Sequence, residues 1–152
     1  MKAWMTKLAA HWALVHLVCL LFVCDSAYGQ QKRVVPGPKN LPYSDGIVVG
    51  NTLYIAGQEG EDENGKLKVG GIGPETQGAL ENLAKVVKAA GFELSDVVSV
   101  TVYLADIKEF EAMNKVYRAF MPNPKPTRAT VQVVRLVNDA RIEISAIAVK
   151  QP

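Results

Sequence analysis

Hydrophobic and polar positions alternate with period two in several short segments of the chain, and each such segment predicts a β-strand. Residues 47–58, "IVVGNTLYIAGQ", form two apolar runs around Gly50-Asn51, a dipeptide typical of a tight hairpin turn. Residues 96–105, 127–136 and 141–150 alternate in the same way. We therefore expect a hairpin followed by three further strands, while the Pro- and Lys-rich residues 31–42 predict an extended arm.

Two other segments have apolar residues at helical spacing. The first helix is predicted over 74–90, because Pro74 suits a first turn, Glu75 favours the positive end of the helix dipole, and Gly91 can end the helix. The second is predicted to follow a cap at Asp106 and to run to about Phe120. The apolar positions are Leu80, Leu83, Ala84, Val87 and Ala90 in the first helix, and Ile107, Phe110, Met113, Tyr117 and Phe120 in the second.

The predicted order is ββαβαββ, an α+β pattern in which two helices can cover only one face of a small mixed sheet. We expect them to cover the face that carries Val98 to Leu104 at every second position, together with Ala129, Val131 and Val133. The other face would then carry Arg128, Thr130, Gln132 and Glu143. Because Tyr103, Val134, Ile147 and Val149 also fall on it, we expect this face to be buried in a homo-oligomer.

Residues 1–29 have the layout of a secretory signal peptide. Lys2 and Lys7 precede about 17 residues without formal charge, and small residues precede a cleavage position at Gly29-Gln30. The alternative is a retained membrane anchor, although His11 and His16 interrupt a stretch that is short for a spanning helix. The predicted organisation is a signal peptide over 1–29, a single domain over 30–152, and an exported, periplasmic or secreted protein.

Cleavage would remove both cysteines and both histidines, since Cys19 and Cys24 also lie in residues 1–29. Residues 30–152 would then exclude disulfides, Cys–His and Ser–His–Asp catalysis, and metal sites that need imidazole or thiolate ligands. Removing Lys2, Lys7 and Asp25 from the 17 basic and 15 acidic residues leaves 15 and 14. This near-neutral charge does not favour strong nucleic-acid binding.

Two glycine-rich segments approach known nucleotide-binding motifs but lack their chemistry. Residues 60–67, "GEDENGKL", place Leu67 where a phosphate loop needs a hydroxyl, and the acids would repel phosphate. Residues 70–74, "GGIGP", lack the third glycine of a dinucleotide fingerprint. We interpret the first as an exposed acidic loop that starts at Glu59, and the second as the turn before the helix.

Arg128 and Glu143 are the charged positions at the starts of two predicted strands, and on the residues alone they have two interpretations. They can form a cross-strand ion pair, which contributes little when exposed. Alternatively, the planar guanidinium can bind a ligand carboxylate in a bidentate manner, and the glutamate can hold a water or move a proton. Sequence physics leaves these two interpretations evenly balanced.

Three separated blocks resemble the RidA (YjgF) family of reactive-intermediate deaminases. They are "LPYSDGIVVGNTLYIAGQ" over 41–58, "AAGFELSDVVSVTVYLADIKEFEAMNKVYRAF" over 89–120, and "RATVQVVRLVNDARIEISAIAV" over 128–149. The resemblance implies a chorismate-mutase-like subunit and a homotrimer with clefts between subunits. It also implies hydrolysis of enamines and imines, of the 2-aminoacrylate, 2-iminopropanoate and 2-iminobutanoate type, to 2-oxo acids and ammonia. No cofactor and no metal is expected.

The resemblance also implies roles for individual residues. Arg128 matches the arginine that binds the substrate carboxylate, and Glu143 matches the acid that orients water near the imine. The remaining substrate-binding positions are Tyr43, Ala56, Gly57, Asn114 and Thr130.

Three positions depart from the family pattern. Ala56 stands in place of a usual serine, Thr130 in place of a frequent cysteine, and Val137 in place of a proline. The first two put the preferred substrate in doubt. Ala56 also keeps open a non-catalytic, holdase-like or small-carboxylate-binding protein. A second alternative is an endoribonuclease, an activity that the resemblance also implies for some members of the family.

Overall fold

The computed structural model describes residues 31–37 and 42–151. The predicted signal peptide, its cleavage position and the alternative anchor lie outside these residues. Within them, neither helix is both long and apolar enough to cross a membrane.

The described chain forms one six-stranded mixed sheet with two helices on one face. The elements are β1 (Lys32–Val35), β2 (Gly46–Val49), β3 (Thr52–Glu59), α1 (Ile72–Ala89), β4 (Val97–Leu104), α2 (Phe110–Phe120), β5 (Thr127–Gln132) and β6 (Ile142–Val149). The strand order is β1-β2-β3-β6-β4-β5, and β4 and β5 form the parallel pair. The predicted ββαβαββ order is confirmed, with one strand, β1, added inside the predicted arm, where it pairs with β2.

The predicted hairpin between β2 and β3 is confirmed. Val49 and Thr52 are cross-strand partners, so Gly50 and Asn51 form a two-residue turn. Gly50 has φ of 59°, a conformation that this class of turn requires and that glycine adopts without steric cost.

Helix α1 begins two residues before the predicted Pro74 and ends where the sequence indicates. After Ala89 the chain closes a Schellman motif, in which Gly91 N donates to Lys88 O and Phe92 N donates to Val87 O, each at 2.9 Å. Gly91 has φ of 78°, so glycine is the residue that allows this helix end.

The cap of the second helix is also confirmed. The Asp106 carboxylate accepts from Lys108 N at 2.9 Å, at the start of a short 3-10 turn that continues into α2. Met113 and Tyr117 of α2 are buried, whereas Ile107 is 44% exposed and does not join the core.

The hydrophobic core lies between the two helices and the sheet. Its fully buried large side chains include Leu53, Leu80, Leu83, Leu104, Met113, Ile142 and Ile144. In β4 a register shift between Val97 and Ser99 puts Val97 in the core and leaves Val98 45% exposed. The expectation that Val98 shares the covered face is therefore wrong, because the irregularity shifts the alternation by one residue.

The predicted faces of β5 are reversed in the structure. Arg128 is in register with Val100, and Thr130 with Val102, so both lie on the helix-covered face with those buried valines. Gln132 also reaches that side and accepts from Ile107 N at 3.0 Å. The alternation could not tell the faces apart, because β5 is an edge strand and neither of its faces is fully covered.

The uncovered face of β5 instead carries Ala129 and Val131, and Val131 is 43% exposed. The strand ends at Gln132, so Val134 lies beyond it. The uncovered face of the sheet also exposes Tyr54 and its cross-strand partner Ile147. The predicted oligomer that would cover this face stays a prediction.

Candidate functional site

The first part of the candidate site surrounds Arg128, and we call its members, Phe110, Asn114, Tyr117, Arg128 and Thr130, the arginine group. The Arg128 Nη2 donates to Asn114 Oδ1 at 2.7 Å. Its guanidinium carbon lies 4.5 Å from the centroid of the Tyr117 ring and 5.7 Å from that of Phe110. These cation–π contacts and the hydrogen bond hold the guanidinium in one orientation.

The helical repeat of α2 explains why these side chains meet. Phe110, Asn114 and Tyr117 occur at positions i, i+4 and i+7 and therefore share one face of the helix. That face looks toward β5, where the register with Val100 turns Arg128 toward the helix. Burial raises the pKa of Tyr117, while the positive charge of Arg128 acts in the opposite direction.

Several polar atoms of the arginine group have no partner within the described residues. The Tyr117 hydroxyl and Thr130 Oγ1 are buried and make no hydrogen bond there. In the same part of the chain no carboxylate lies within 4.0 Å of the Arg128 guanidinium. Since buried polar groups are normally hydrogen-bonded, a fixed guanidinium beside two such hydroxyls is a place where a carboxylate ligand can bind.

The second part of the candidate site surrounds Glu143 at the start of β6, and we call Tyr43, Ala56, Gly57, Glu59 and Glu143 the glutamate group. A register shift in β3 between Ile55 and Gln58 takes Ala56 and Gly57 out of the regular ladder with β6. A methyl group added at Gly57 would overlap the Glu143 carboxylate. Glycine at this position therefore gives the carboxylate its place beside the backbone.

Tyr43 lies at the mouth of this group and is 56% exposed. Partial burial raises its pKa, and the negative charges of Asp45, Glu61, Glu59 and Glu143 add to the effect. The hydroxyl of Tyr43 therefore stays protonated and can donate a hydrogen bond at neutral pH.

Glu59 is a member of this group that the sequence interpretation missed. It was assigned to the exposed acidic loop, but it is the last residue of β3 and is only partly exposed. Burial, followed by the charges of Glu61, Glu143 and Glu75, raises the pKa of Glu59 to about 7. The available signal was its position three residues after the apolar run 53–56, within reach of strand pairing.

The glutamate group lines an open cleft of about 960 Å³ that also reaches the loop 60–65 and α1. Carboxylates, among them Asp45, Glu59, Glu61 and Glu143, outnumber the amine of Lys85 in the lining. Within the described ranges, no set of three or more His, Cys, Asp or Glu side chains is arranged to hold a metal ion.

The arginine and glutamate groups are separate within one protomer, which corrects the prediction that Arg128 and Glu143 share a face. Strand β4 lies between β5 and β6, and Glu143 is in register with Tyr103, which pairs with Val131 rather than with Arg128. Two strand spacings across the sheet and three residues along it put the two Cα atoms about 14 Å apart. Their side chains also leave opposite faces, so the ion-pair interpretation is wrong.

The fold and the residue pattern define the family. Residues 36–150 match the family described as Endoribonuclease L-PSP, and the chain belongs to it. This finding confirms the resemblance to the RidA (YjgF) family.

Named relatives give the family context. The human protein named 2-iminobutanoate/2-iminopropanoate deaminase is 42% identical over 112 residues, which are 73% of this chain and 82% of that protein. The solved RidA of an Antarctic Psychrobacter is 35% identical, with a TM-score of 0.71, covering 80% of this chain and 98% of that one. E. coli TdcF, solved with bound serine, is 33% identical, with a TM-score of 0.70, covering 76% and 93%.

Proposed function

We propose that this protein hydrolyses enamines and imines derived from α-amino acids, of the 2-iminopropanoate and 2-iminobutanoate type, to 2-oxo acids and ammonia. The observation that carries the proposal is Arg128, a guanidinium oriented by Asn114 and Tyr117 and without a carboxylate partner among the described residues. Such a group binds the carboxylate that every substrate of this class carries. The name of the human relative and the serine bound to TdcF agree with this ligand class.

In the proposed reaction, Arg128 binds the substrate carboxylate and fixes the carbon of the C=N bond. A water held by Glu143 attacks that carbon, proton transfer follows, and ammonia leaves. These substrates already react with water, so positioning and electrostatic stabilisation supply sufficient acceleration. Gly57 lets the Glu143 carboxylate lie against the backbone, and Tyr43 can close the cleft as a hydrogen-bond donor.

The distance between Arg128 and Glu143 requires a second subunit in this mechanism. We propose a homotrimer in which the arginine group of one subunit faces the glutamate group of its neighbour. The exposed apolar side chains of Tyr54, Val131 and Ile147 on the uncovered sheet face support an assembly of copies. Sedimentation of a dilute sample as a monomer would contradict it.

The central test is a coupled assay in which an amino-acid oxidase produces imines and their loss is followed with and without residues 30–152. Wild type should accelerate the loss, and Arg128→Ala should lower kcat/KM by roughly 100-fold, because the carboxylate loses its charged partner. Arg118→Ala is the matched control, since Arg118 is an exposed arginine of the neighbouring helix α2. Equal rates for Arg128→Ala and wild type would reject the proposed binding of the substrate carboxylate by Arg128.

The alternative activities have distinct outcomes in the same preparation. Calorimetric binding of 2-oxo acids without imine turnover would select the non-catalytic carboxylate binder. Salt-sensitive RNA cleavage that is lost in Arg128→Ala would select the endoribonuclease, although the acidic cleft lining disfavours an RNA backbone.

We also propose that residues 1–29 direct export and are removed near Gly29-Gln30, on the sequence pattern alone. The intact mass of the protein recovered from a secreting host tests this directly. A mass equal to that of the full chain would favour the retained anchor.

A further inference from the structure

Glu59 and Glu143 are direct cross-strand partners in the antiparallel pair of β3 and β6. Such partners project to the same side of the sheet with Cβ atoms about 5 Å apart. Both line the same cleft. Asn82 Nδ2 fixes this end of β3 by donating to the carbonyls of Glu59 at 3.0 Å and Glu61 at 2.9 Å. The two carboxyl groups are therefore neighbours on two paired strands, and the end of β3 is anchored by α1.

The charged and titratable groups around this pair are mostly acidic. They come from the segment before β2, the loop after β3 and helix α1, and they are Tyr43, Asp45, Glu61, Asp62, Glu63, Glu75 and Lys85. Lys85 donates to Asn82 Oδ1 at 3.2 Å and is not among the groups that shift the pKa of Glu59. In this setting Glu59 retains a proton to about pH 7, for which burial is the largest cause.

We propose that Glu59 is a second catalytic residue, which donates protons to the substrate nitrogen while Glu143 accepts them from the attacking water. This inference rests on the proposed imine hydrolysis and extends it. A single carboxylate would have to do both tasks in turn, whereas a neighbouring pair that shares one proton can do both in the same step.

The proton balance of the reaction supports two groups. When water attacks, the new C–O bond forms, the C=N π pair moves to nitrogen, Glu59 gives nitrogen a proton, and Glu143 takes one from water. The shared proton then returns from Glu143 to Glu59. In the second step Glu59 protonates the amine, the C–N bond breaks with its electron pair leaving on ammonia, and Glu143 takes the hydroxyl proton as the C=O bond forms. The return of that proton from Glu143 to Glu59 restores the pair.

The test is the pH profile of kcat for imine hydrolysis in wild type and Glu59→Gln. Wild-type kcat should fall as pH rises above about 7, because the donor is lost. Glu59→Gln should lower kcat roughly 100-fold and lose this alkaline decline, since removing a general acid typically costs that much. Glu111→Gln is the matched control: it removes the same charge from an exposed position of α2 outside the cleft lining, and Glu111 is not among the groups that raise the pKa of Glu59.

A uniform drop in kcat with the alkaline decline retained would overturn the inference, since a merely structural role predicts that result. A second measurement does not depend on activity or on the fold of a variant. The carboxyl carbon of Glu59, followed by NMR in ¹³C-glutamate-labelled wild type, should titrate near pH 7 and lower in Glu143→Gln. Titration near the ordinary 4.5 would overturn the role of Glu59 and leave the proposed imine hydrolysis intact. A wild type that hydrolyses no imine would overturn the proposed function.

Discussion

The arginine group and the glutamate group are built from different kinds of contact. Around Arg128, aromatic rings and a neutral amide orient one positive charge on the helix-covered face of the sheet. Around Glu143, backbone irregularity and neighbouring carboxylates crowd negative charge on the opposite face. In the proposed function, the first arrangement binds an anion and the second controls protons.

In the proposed function, this difference separates substrate binding from proton transfer. If both groups were on one face of the protomer, Arg128 would neutralise Glu143, and neither would be available to a ligand. Strand β4 and the opposite directions of their side chains keep them apart, with Cα atoms about 14 Å from each other. Assembly of copies would then bring opposite charges together only where a substrate can lie between them.

The largest expected effect tests whether the arginine group and the glutamate group of one site come from two subunits. Arg128→Ala and Glu143→Gln trimers should each be nearly inactive, but trimers assembled from a 1:1 mixture should regain about a quarter of wild-type activity, because each mixed ring contains one intact cleft. The measurement is imine hydrolysis after joint refolding. A mixture of Arg128→Ala and Asn114→Ala is the control and should stay inactive, since both changes damage the same group. No recovery in the first mixture would place the whole site in one subunit.

A second prediction concerns the backbone of the glutamate group. Gly57→Ala should displace the Glu143 carboxylate, lower kcat at least tenfold, and cost about 1–3 kcal/mol in the free energy of unfolding, because the added methyl overlaps that carboxylate. Gly73→Ala is the control, since a Cβ there meets nothing within 4 Å. Activity and urea denaturation measure both effects. Normal kcat in Gly57→Ala would show that the position of the Glu143 carboxylate is not critical.

A third prediction concerns the arginine group. Tyr117→Phe removes a buried hydroxyl that has no partner within the described residues, so the protein should be as stable as wild type or up to about 1 kcal/mol more stable. If the hydroxyl binds the ligand carboxylate, the affinity for a 2-oxo acid should fall a few-fold in calorimetry. A loss of stability with unchanged affinity would assign the hydroxyl a structural partner instead.

The smallest expected effect is the pH dependence of stability caused by Glu59. Its pKa is about 7 in the folded chain against an ordinary 4.5, so the folded state binds the proton more tightly. Stability from this group is therefore full below about pH 4.5 and falls as pH rises toward 7. The free energy of unfolding of Glu59→Gln should exceed that of wild type by on the order of 1 kcal/mol at pH 8, after discounting for partial exposure. At pH 4 the two should be equal.

Thermal unfolding at the two pH values measures this difference. Glu111→Gln is again the control, because Glu111 is exposed and lies outside the cleft lining, so it should give the same small change at both. An equal gain for Glu59→Gln at pH 4 and pH 8 would contradict the raised pKa.

The sequence predicts the fold well wherever local chemistry decides it. The Gly50-Asn51 turn, the Asp106 cap and the end of α1 at Gly91 depend on residues next to each other in the chain. The faces of β5 do not depend on residues next to each other in the chain. They depend on which neighbouring strand sets the register and how far the helices reach. That is why the alternation of β5 predicts the wrong face for Arg128.

The site shows the same limit. Family resemblance identified Arg128 and Glu143 by their position in a motif, which needs no three-dimensional information. Glu59 matched no motif and was taken for part of a solvated loop. Its proximity to Glu143 arises from a pairing between residues 84 positions apart in the chain, together with a register shift that alternation cannot reveal.

The same register shift has a consequence for redesign of the cleft. At Ala56 the backbone N–H already donates to Asp45 O at 2.9 Å, so the side chain at position 56 is what can vary in the cleft lining, whereas Gly57 has only main chain to offer. Position 56 can therefore be varied to tune which substrate side chain fits, while position 57 is constrained by the Glu143 carboxylate. Ala56 is accordingly the place to begin a search for altered selectivity, and Gly57 the residue to leave unchanged.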